Sequence, residues 1–216
     1  MTKRDPDPHT DQSESVAFWE AHYGEKPQVW SGRANGVLVA EVSDLAPGRA
    51  LDVGCGEGAD AIWLAGKGWR VSAVDVSRTA LERGTRAAEE AGVGELIEWQ
   101  WHDLADTFPA GEFDVVNVQY LHSPIDLPED RILTAAASAV APRGTVLVVS
   151  HAAAPPWSRH HHDHALPQPD EIARSLGLQD EEWDIEACEV RQRSTIAPSG
   201  EPAEISDSVV KARRRA

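Results

Sequence analysis

The residues best suited to chemistry lie in the stretch LDVGCGEG at positions 51–58, where an apolar run leads into glycines. Gly54 and Gly56, followed by Ala59, match the G-x-G-x-x-G/A spacing of a strand that turns into a helix beneath a nucleotide. Glycine suits this turn because the backbone bends tightly and a ligand must approach the amide groups at the helix N-terminus. The spacing alone would also fit a nicotinamide or flavin dinucleotide.

A carboxylate two residues before the first glycine narrows the choice of ligand. Asp52 would repel a pyrophosphate, whereas it would attract a ligand that carries an ammonium and a sulfonium group. S-adenosylmethionine is such a ligand. Asp75 follows Gly54 by about 20 residues, where a carboxylate can accept hydrogen bonds from both ribose hydroxyls.

Asp103, in the segment WQWHDLAD at 99–106, is a third acid at the end of an expected strand. There it can accept a hydrogen bond from an adenine amino group. Three acids around one cleft favour a cationic nucleoside. Each acid also has a structural interpretation, because Asp52 could cap the loop, Asp75 could cap the following helix and Asp103 could lie in a solvated turn.

The elements that must position these acids follow from the apolar periodicity. Strands that are apolar on both faces and alternate with helices predict a parallel sheet covered by helices on both sides. Two long strand-like runs at the end predict a hairpin that closes the sheet. The expected strands are 49–54, 70–75, 96–101, 113–119, 144–150, 182–193 and 204–215, and the expected helices are 59–67, 78–91, 129–140 and 169–176.

A chain of 216 residues is long enough for one well-buried core, so we expect one domain. The segment before the first strand contains Val16, Trp19 and Tyr23 at helical spacing, then Leu38 and Val42 in a second expected helix. The predicted organisation is a flexible tail at 1–12 and a single domain at 13–216, made of a helical lead-in at 13–46, a cofactor-binding core at 47–150, and a substrate-side loop and closing hairpin at 151–216.

Composition excludes several classes of protein. A net charge of −16 argues against nucleic acid as a partner, although KARRRA at 211–216 is either a solvated strand end or a basic binding patch. Cys55 and Cys188 give neither a disulfide framework nor a metal-ligand spacing, and they fit a reducing compartment. The apolar runs are shorter than the roughly 20 residues that span a bilayer. We therefore expect a cytoplasmic protein with no membrane contact, as a monomer or homodimer.

Four segments together resemble the successive motifs of class I S-adenosylmethionine-dependent methyltransferases: LDVGCGEGADAIWLAGKGWRVSAVDVS (51–77), HDLAD (102–106), FDVVNVQYLH (113–122) and APRGTVLVVS (141–150). The resemblance implies a Rossmann-like, mostly parallel sheet of seven strands in the order 3-2-1-4-5-7-6, with a C-terminal antiparallel hairpin and an N-terminal helical cap. It also implies that a small-molecule substrate is methylated and that S-adenosylhomocysteine is released.

The same resemblance assigns parts of the cofactor to residues. Gly54 and Gly56 would line the methionine end, Asp75 the ribose and Asp103 the adenine, with Leu104 beside the ring. The full set of expected cofactor contacts is Asp52, Gly54, Cys55, Gly56, Gly58, Asp75, Val76, Asp103, Leu104, Gln119 and Trp30. The lead-in FWEAHYGEKPQVW at 18–30 is similar to that of the thiopurine and tellurite-resistance methyltransferase group, which modifies small and often soft nucleophiles.

The identity of the methyl acceptor decides whether a catalytic base is needed. A thiolate arrives ionised, whereas a hydroxyl or ammonium acceptor must lose a proton to a nearby group. Gln119, Tyr120 and His122 follow the fourth expected strand, and His151 follows the fifth. His122 and His151 are therefore the candidate catalytic residues, although His122 could equally cap the helix that follows.

The run HHHDH at 160–164 has no spacing that imposes a closed metal geometry, so we predict no metal site. The run belongs either to a solvated loop or to a lid over the acceptor. Two other functions fit parts of the pattern. A non-catalytic S-adenosylmethionine-binding regulator would carry the same cofactor motifs, and an NAD(P)-dependent reductase would share the glycine spacing.

Overall fold

The computed structural model describes residues 13–155, 157, 166–178 and 181–216. Its helices are α1 (Glu14–Gly24), α2 (Gly36–Val42), α3 (Ala59–Gly66), α4 (Arg78–Glu90), α5 (Glu129–Ser138) and α6 (Pro169–Ser175). Its strands are β1 (Arg49–Val53), β2 (Arg70–Asp75), β3 (Ile97–Trp101), β4 (Phe113–Gln119), β5 (Val140–His151), β6 (Trp183–Ile196) and β7 (Pro202–Arg214). The expected tail at 1–12 and the histidine run at 160–164 lie outside the described residues, and the division into lead-in, core and closing hairpin stays a prediction.

The strands form one sheet of seven in the order β3-β2-β1-β4-β5-β7-β6, which confirms the expected topology. The first five strands along the chain pair in parallel, and β7 pairs antiparallel with both β5 and β6. Strand β5 begins earlier than the expected residue 144, because Phe113 pairs with Val140 before a register irregularity.

Apolar side chains cover both faces of the sheet, so strand parity decides which face each residue occupies. One face packs Leu51, Val53, Val116 and Val118 against α5 and α6. The other face packs Ala50, Val115, Leu147 and Val149 against α2 and α3. By the same alternation, Asp52, Asn117 and His151 belong to the α2 and α3 face, at the carboxyl edge of the parallel strands.

The helical lead-in is attached to this edge through two carboxylates. Glu20, in α1, accepts hydrogen bonds from the backbone amides of Arg78 and Thr79 at the N-terminus of α4. These contacts and the positive end of the helix dipole stabilise its charge. Glu57 accepts from the amide of Trp30 at 3.0 Å and pairs with Arg83 at 2.9 Å. The lead-in therefore covers the loop between β1 and α3.

No helix in the described part of the chain is long and apolar enough to cross a membrane.

Candidate active site

The loop between β1 and α3 has the backbone conformation that its glycines were expected to provide. Gly54, Gly56 and Gly58 have φ values of 69°, 54° and 80°, a region that favours glycine. A Cβ on Gly56 would lie 2.8 Å from the Tyr23 hydroxyl and 3.2 Å from Nε1 of Trp30. The Trp30 indole donates to the Tyr23 hydroxyl at 2.9 Å, and Trp30 is 51% exposed. The side chains of Tyr23 and Trp30 therefore border the glycine loop.

Asp52 lies inside β1, as the expected strand at 49–54 implied, and its side chain is buried. Its Oδ1 accepts a hydrogen bond from Asn117 at 2.8 Å, and Asn117 in turn accepts one from Gln119 at 2.7 Å. Asp52 Oδ2 and Gln119 Oε1 are buried and have no hydrogen-bond partner of good geometry among the described residues, although the Ala61 amide lies close enough to Asp52 to lower its pKa. Buried acceptors without donors are costly, so these atoms favour a ligand that brings N–H groups.

Electrostatics at Asp52 depend on a second acid that sequence reasoning missed. Burial raises the pKa of Asp52 from its ordinary value of 3.8 to about 8, and repulsion from Asp60 adds to this effect. Asp60 accepts hydrogen bonds from the backbone and side-chain amides of Asn35, and burial raises its pKa as well. A cationic group placed at Asp52 Oδ2 would offset both effects and favour the ionised carboxylate.

Asp75 ends β2 and fixes the geometry of the glycine loop. Its two oxygens accept from the amides of Gly56, at 2.8 Å, and Ser77, at 2.9 Å. Burial raises its pKa to about 6, against the effect of these hydrogen bonds. Next to it, the carbonyl of Val76 accepts from the Trp101 indole at 2.6 Å. Asp75 therefore has a structural function in the ligand-free chain besides any contact with a ribose.

The carboxylate of Asp103 is held by the lead-in. Asp103 is buried just after β3 and accepts from the Ser13 hydroxyl at 2.5 Å and the Ala105 amide at 3.1 Å. An adenine amino group that binds Asp103 must therefore share this carboxylate with the Ser13 hydroxyl or displace that hydroxyl.

Two other expected cofactor contacts lie near the same edge of the sheet. Leu104 packs against the core, and Cys55 lies in the glycine loop with a thiol whose pKa is raised by burial.

The two candidate catalytic histidines occupy different environments at the ends of β4 and β5. His122 Nε2 lies 2.9 Å from the Ser150 hydroxyl and accepts a weak hydrogen bond from the His151 amide at 3.3 Å. His151 Nδ1 lies 3.1 Å from Oδ1 of Asp207, an acid on β7 that sequence reasoning missed. The two imidazole rings are stacked with centroids 5.9 Å apart.

The signals that could have found the missed residues were weak. Asn117 is a polar residue in an otherwise apolar strand, FDVVNVQ, which marks a buried polar site. Asp207 lies in a strand where charged residues are common, so only its pairing with His151 across β5 and β7 distinguishes it. Among the described residues, no group of three or more His, Cys, Asp or Glu is arranged to hold a metal ion.

Comparisons with known proteins identify the type of domain. Residues 50–144 match the family model described as a methyltransferase domain. The chain is 34% identical over 124 residues to ribosomal RNA small subunit methyltransferase C of Chromohalobacter salexigens, an alignment that covers 55% of this chain and 36% of that protein. It is 30% identical over 105 residues to probable thiol methyltransferase 2 of Arabidopsis thaliana, covering 47% of this chain and 46% of that protein. The chain thus matches less than half the length of both relatives.

Among solved structures, the fold is similar to that of N-methyltransferase NodS from Bradyrhizobium japonicum WM9 in complex with S-adenosyl-L-homocysteine. The TM-score is 0.68 at 16% sequence identity, and the match covers 94% of this chain and 100% of that chain. At this identity, the similarity establishes a common fold.

Proposed function

We propose that this chain, which carries a class I S-adenosylmethionine-dependent methyltransferase domain, binds S-adenosylmethionine and catalyses transfer of its methyl group to a small-molecule acceptor. The observation that supports this most directly is the pair of buried acceptor atoms, Asp52 Oδ2 and Gln119 Oε1, beside the glycine loop. The ammonium group of a methionine moiety supplies N–H donors and a positive charge, which these atoms require.

The remaining cofactor contacts follow the order of the strands. The backbone of the glycine loop at Gly54 and Gly56 receives the methionine end, Asp75 binds the ribose hydroxyls and Asp103 the adenine amino group. Val76, Leu104 and the aromatic side chain of Trp30 bound the nucleoside, with Gly58 and Cys55 in the same loop. When bound, S-adenosylmethionine supplies an electrophilic methyl group, and the chain contributes orientation and exclusion of water.

A small molecule is the acceptor that best fits the charge of this chain. The net charge of −16 opposes the phosphate backbone of a nucleic acid. One relative is a ribosomal RNA methyltransferase and another a probable thiol methyltransferase, so the relatives alone do not choose between these acceptors. The resemblance of the lead-in to that of the thiopurine and tellurite-resistance group stays an expectation from the sequence and does not choose the acceptor.

Calorimetric titration with S-adenosylhomocysteine tests the proposal, with Gly56→Ala as the informative variant. We expect saturable binding by the native chain and at least about a 10-fold loss in Gly56→Ala, since a Cβ there would displace the Tyr23 hydroxyl and the Trp30 indole that border the loop. Gly92→Ala is the matched control, because Gly92 also has a positive φ of 72° but nothing lies within 4 Å of its added Cβ.

Three outcomes would contradict parts of this proposal. Binding of NADH without binding of either adenosyl ligand would favour an NAD(P)-dependent reductase. Equal affinities of Gly56→Ala and the native chain for S-adenosylhomocysteine would mean that the ligand does not bind against the glycine loop. Binding of the adenosyl ligands, with no methylation of any acceptor in a broad panel of thiols, phenols and amines, would favour a non-catalytic regulator.

A further inference from the structure

We infer that His151, oriented by the buried carboxylate of Asp207, is the general base for the methyl acceptor, and that this acceptor is a protonated small amine rather than a thiolate or another anion. This inference rests on the proposed function and names its substrate class. It is carried by the contacts of His151, by the position of the glycine loop and by the net charge of the chain.

Asp207 holds His151 in one orientation. The carboxylate of Asp207 is 1% exposed, and its Oδ1 lies 3.1 Å from His151 Nδ1. Its Oδ2 accepts from the Tyr120 hydroxyl at 2.9 Å and from Arg193 Nε at 2.5 Å. Burial favours the protonated acid, but the hydrogen bonds from His151, Arg193 and Tyr120 outweigh it and hold the pKa of Asp207 below its ordinary value. Asp207 is therefore an anion at neutral pH.

The anion sets the tautomer of His151. A carboxylate only accepts hydrogen bonds, so Nδ1 carries the proton and Nε2 is the basic nitrogen. The His151 side chain is 27% exposed, which leaves it accessible to a bound acceptor. His122 has a different arrangement, because its Nε2 already accepts from the backbone amide of His151. Protonation of His122 at Nε2 would break that contact, so His151 is the better base.

The turn after β4 connects this pair of residues to the cofactor loop. Tyr120 has a φ of 51°, and its ring centroid lies 4.7 Å from that of His151. The next residue, Leu121, covers the glycine loop, since a Cβ on Gly54 would lie 2.6 Å from Leu121 Cδ1. Asp52 and His151 also lie on the same face of the sheet. The turn at Tyr120 and Leu121 therefore contacts the glycine loop through Leu121 and the proposed base through Tyr120.

The charge of the chain favours a cationic acceptor over an anionic one. Asp52, Asp60 and Asp75 are buried acids on the cofactor side, but burial raises the pKa of each, so they are not counted as anions. Within the described residues, the nearby Arg193 is paired with Asp207 and Arg83 with Glu57, so neither guanidinium group is free to hold an anion. The net charge of −16 attracts an ammonium group and repels an anionic acceptor.

An ammonium acceptor must lose one proton before it can react. The proton passes from the acceptor nitrogen to His151 Nε2, which leaves a neutral amine and an imidazolium paired with Asp207. The nitrogen lone pair then forms the new N–C bond, and the C–S bond breaks with its electron pair remaining on sulfur. The products are a methylated ammonium and neutral S-adenosylhomocysteine, and His151 returns its proton to water.

The test combines an acceptor panel with the pH dependence of the rate. We expect the native chain to methylate small primary or secondary amines in preference to thiols, with S-adenosylhomocysteine release as the readout. We expect kcat/KM to fall as the pH is lowered, because a protonated His151 cannot accept the proton of the acceptor. Among the residues that the structure describes, the charged or titratable groups that face His151 are Asp207 on β7, Arg193 on β6, and Tyr120 and His122 from the turn after β4.

Two variants separate the base from its positioning residue. We expect His151→Gln to lower kcat by about 100-fold or more, a typical contribution of a general base, while S-adenosylhomocysteine affinity stays within about 2-fold. Asp207→Asn keeps the shape but removes the negative charge, so we expect a smaller fall in kcat and a displaced pH profile. Glu204→Gln is the matched control, because Glu204 is an exposed acid on the same strand, β7.

Each remaining outcome has a defined meaning. Methylation of thiols or phenols but not amines overturns the inference, as does an unchanged rate and pH profile in His151→Gln. If His151→Gln does not fold, the acceptor preference and the pH profile of the native chain still decide. S-adenosylhomocysteine binding with no amine methylated overturns the inference alone, whereas the absence of adenosyl binding overturns the proposed function.

Discussion

Asp52 is the residue at which stability and the proposed function conflict most. It is a buried acid beside a second buried acid, and one of its oxygens lacks a donor of good geometry within the described part of the chain. A site that is unfavourable without a ligand and favourable with a cationic one is typical of functional residues. The same chemistry makes the stability of the ligand-free protein depend on pH.

We expect the free energy of unfolding of the ligand-free protein to fall as the pH rises from about 4 towards 8. The pKa of Asp52 is raised from 3.8 to about 8, so the folded chain keeps a proton that the unfolded chain has already lost in this window. Stability is therefore greatest below the lower value and is lost as the pH approaches the upper one. Urea unfolding of Asp52→Asn across this range should show a flatter dependence than the native chain.

The exposed acid Asp44 provides the control, since Asp44→Asn should leave the pH dependence of unfolding unchanged. The Asp52→Asn protein should also bind S-adenosylhomocysteine at least about 10-fold more weakly, because a polar partner of the ligand is lost. A native-like pH slope in Asp52→Asn would mean that another group is responsible.

At the scale of elements, one tryptophan packs strand β3 against the glycine loop and helix α4. The edge of the Trp99 indole, from β3, lies against Gly58 in the glycine loop and Gly84 in α4. A Cβ on Gly84 would be 2.5 Å from Trp99 Cη2 and 3.2 Å from the carbonyl oxygen of Glu57. These glycines therefore provide space for the ring as well as backbone freedom.

We expect Gly84→Ala to destabilise the protein although alanine is the better helix former. The cost of overpacking against Trp99, about 1–3 kcal/mol, exceeds the gain in helix propensity, up to about 1 kcal/mol. Gly66→Ala is the matched control, because Gly66 ends α3 and nothing lies within 4 Å of its added Cβ. Thermal unfolding would contradict this packing if both variants were stabilised equally.

At the scale of the whole molecule, the basic residues at 211–215 are paired with acids or donate hydrogen bonds to backbone carbonyl groups. Lys211 pairs with Glu41 and Glu186, and Arg215 with Asp184. Arg214 donates to the carbonyl of Val140. These contacts support the strand-end interpretation of KARRRA over a nucleic-acid patch. The electrostatic field of the whole protein is therefore set by its excess of acidic residues, which gives a net charge of −16.

We therefore expect no saturable binding of a labelled RNA hairpin or single strand at micromolar protein and low salt, measured by fluorescence anisotropy. The protein field opposes the counterion release that normally drives such binding. Binding whose logarithm falls linearly with the logarithm of salt concentration would refute this expectation. In that case, a loss of binding in Arg213→Gln would locate the contact at the end of β7.

The strands, helices and turns could be predicted because each is signalled by residues that are close together in the sequence. Apolar runs on both faces, separated by helical periods, identify parallel strands, and the glycines at 54, 56 and 58 mark the turn where a ligand approaches. The order of the sheet followed from the resemblance to a family and is confirmed. The expected cofactor residues lie at or near strand ends for the same local reason, and their contacts with S-adenosylmethionine stay predictions.

The partners of those residues were decided only by tertiary structure. Strand order and register bring Asn117 against Asp52 and Asp207 against His151, and the path of the lead-in brings Ser13 to Asp103. Such pairs are distant in sequence, and no period or spacing records which face of a neighbouring strand a side chain will meet. The sequence by itself thus determined a parallel sheet with a glycine loop and acids at its edge. Tertiary structure decided which of those acids are buried, which are paired and which histidine is held by a carboxylate, because burial and pairing depend on neighbours across the sheet.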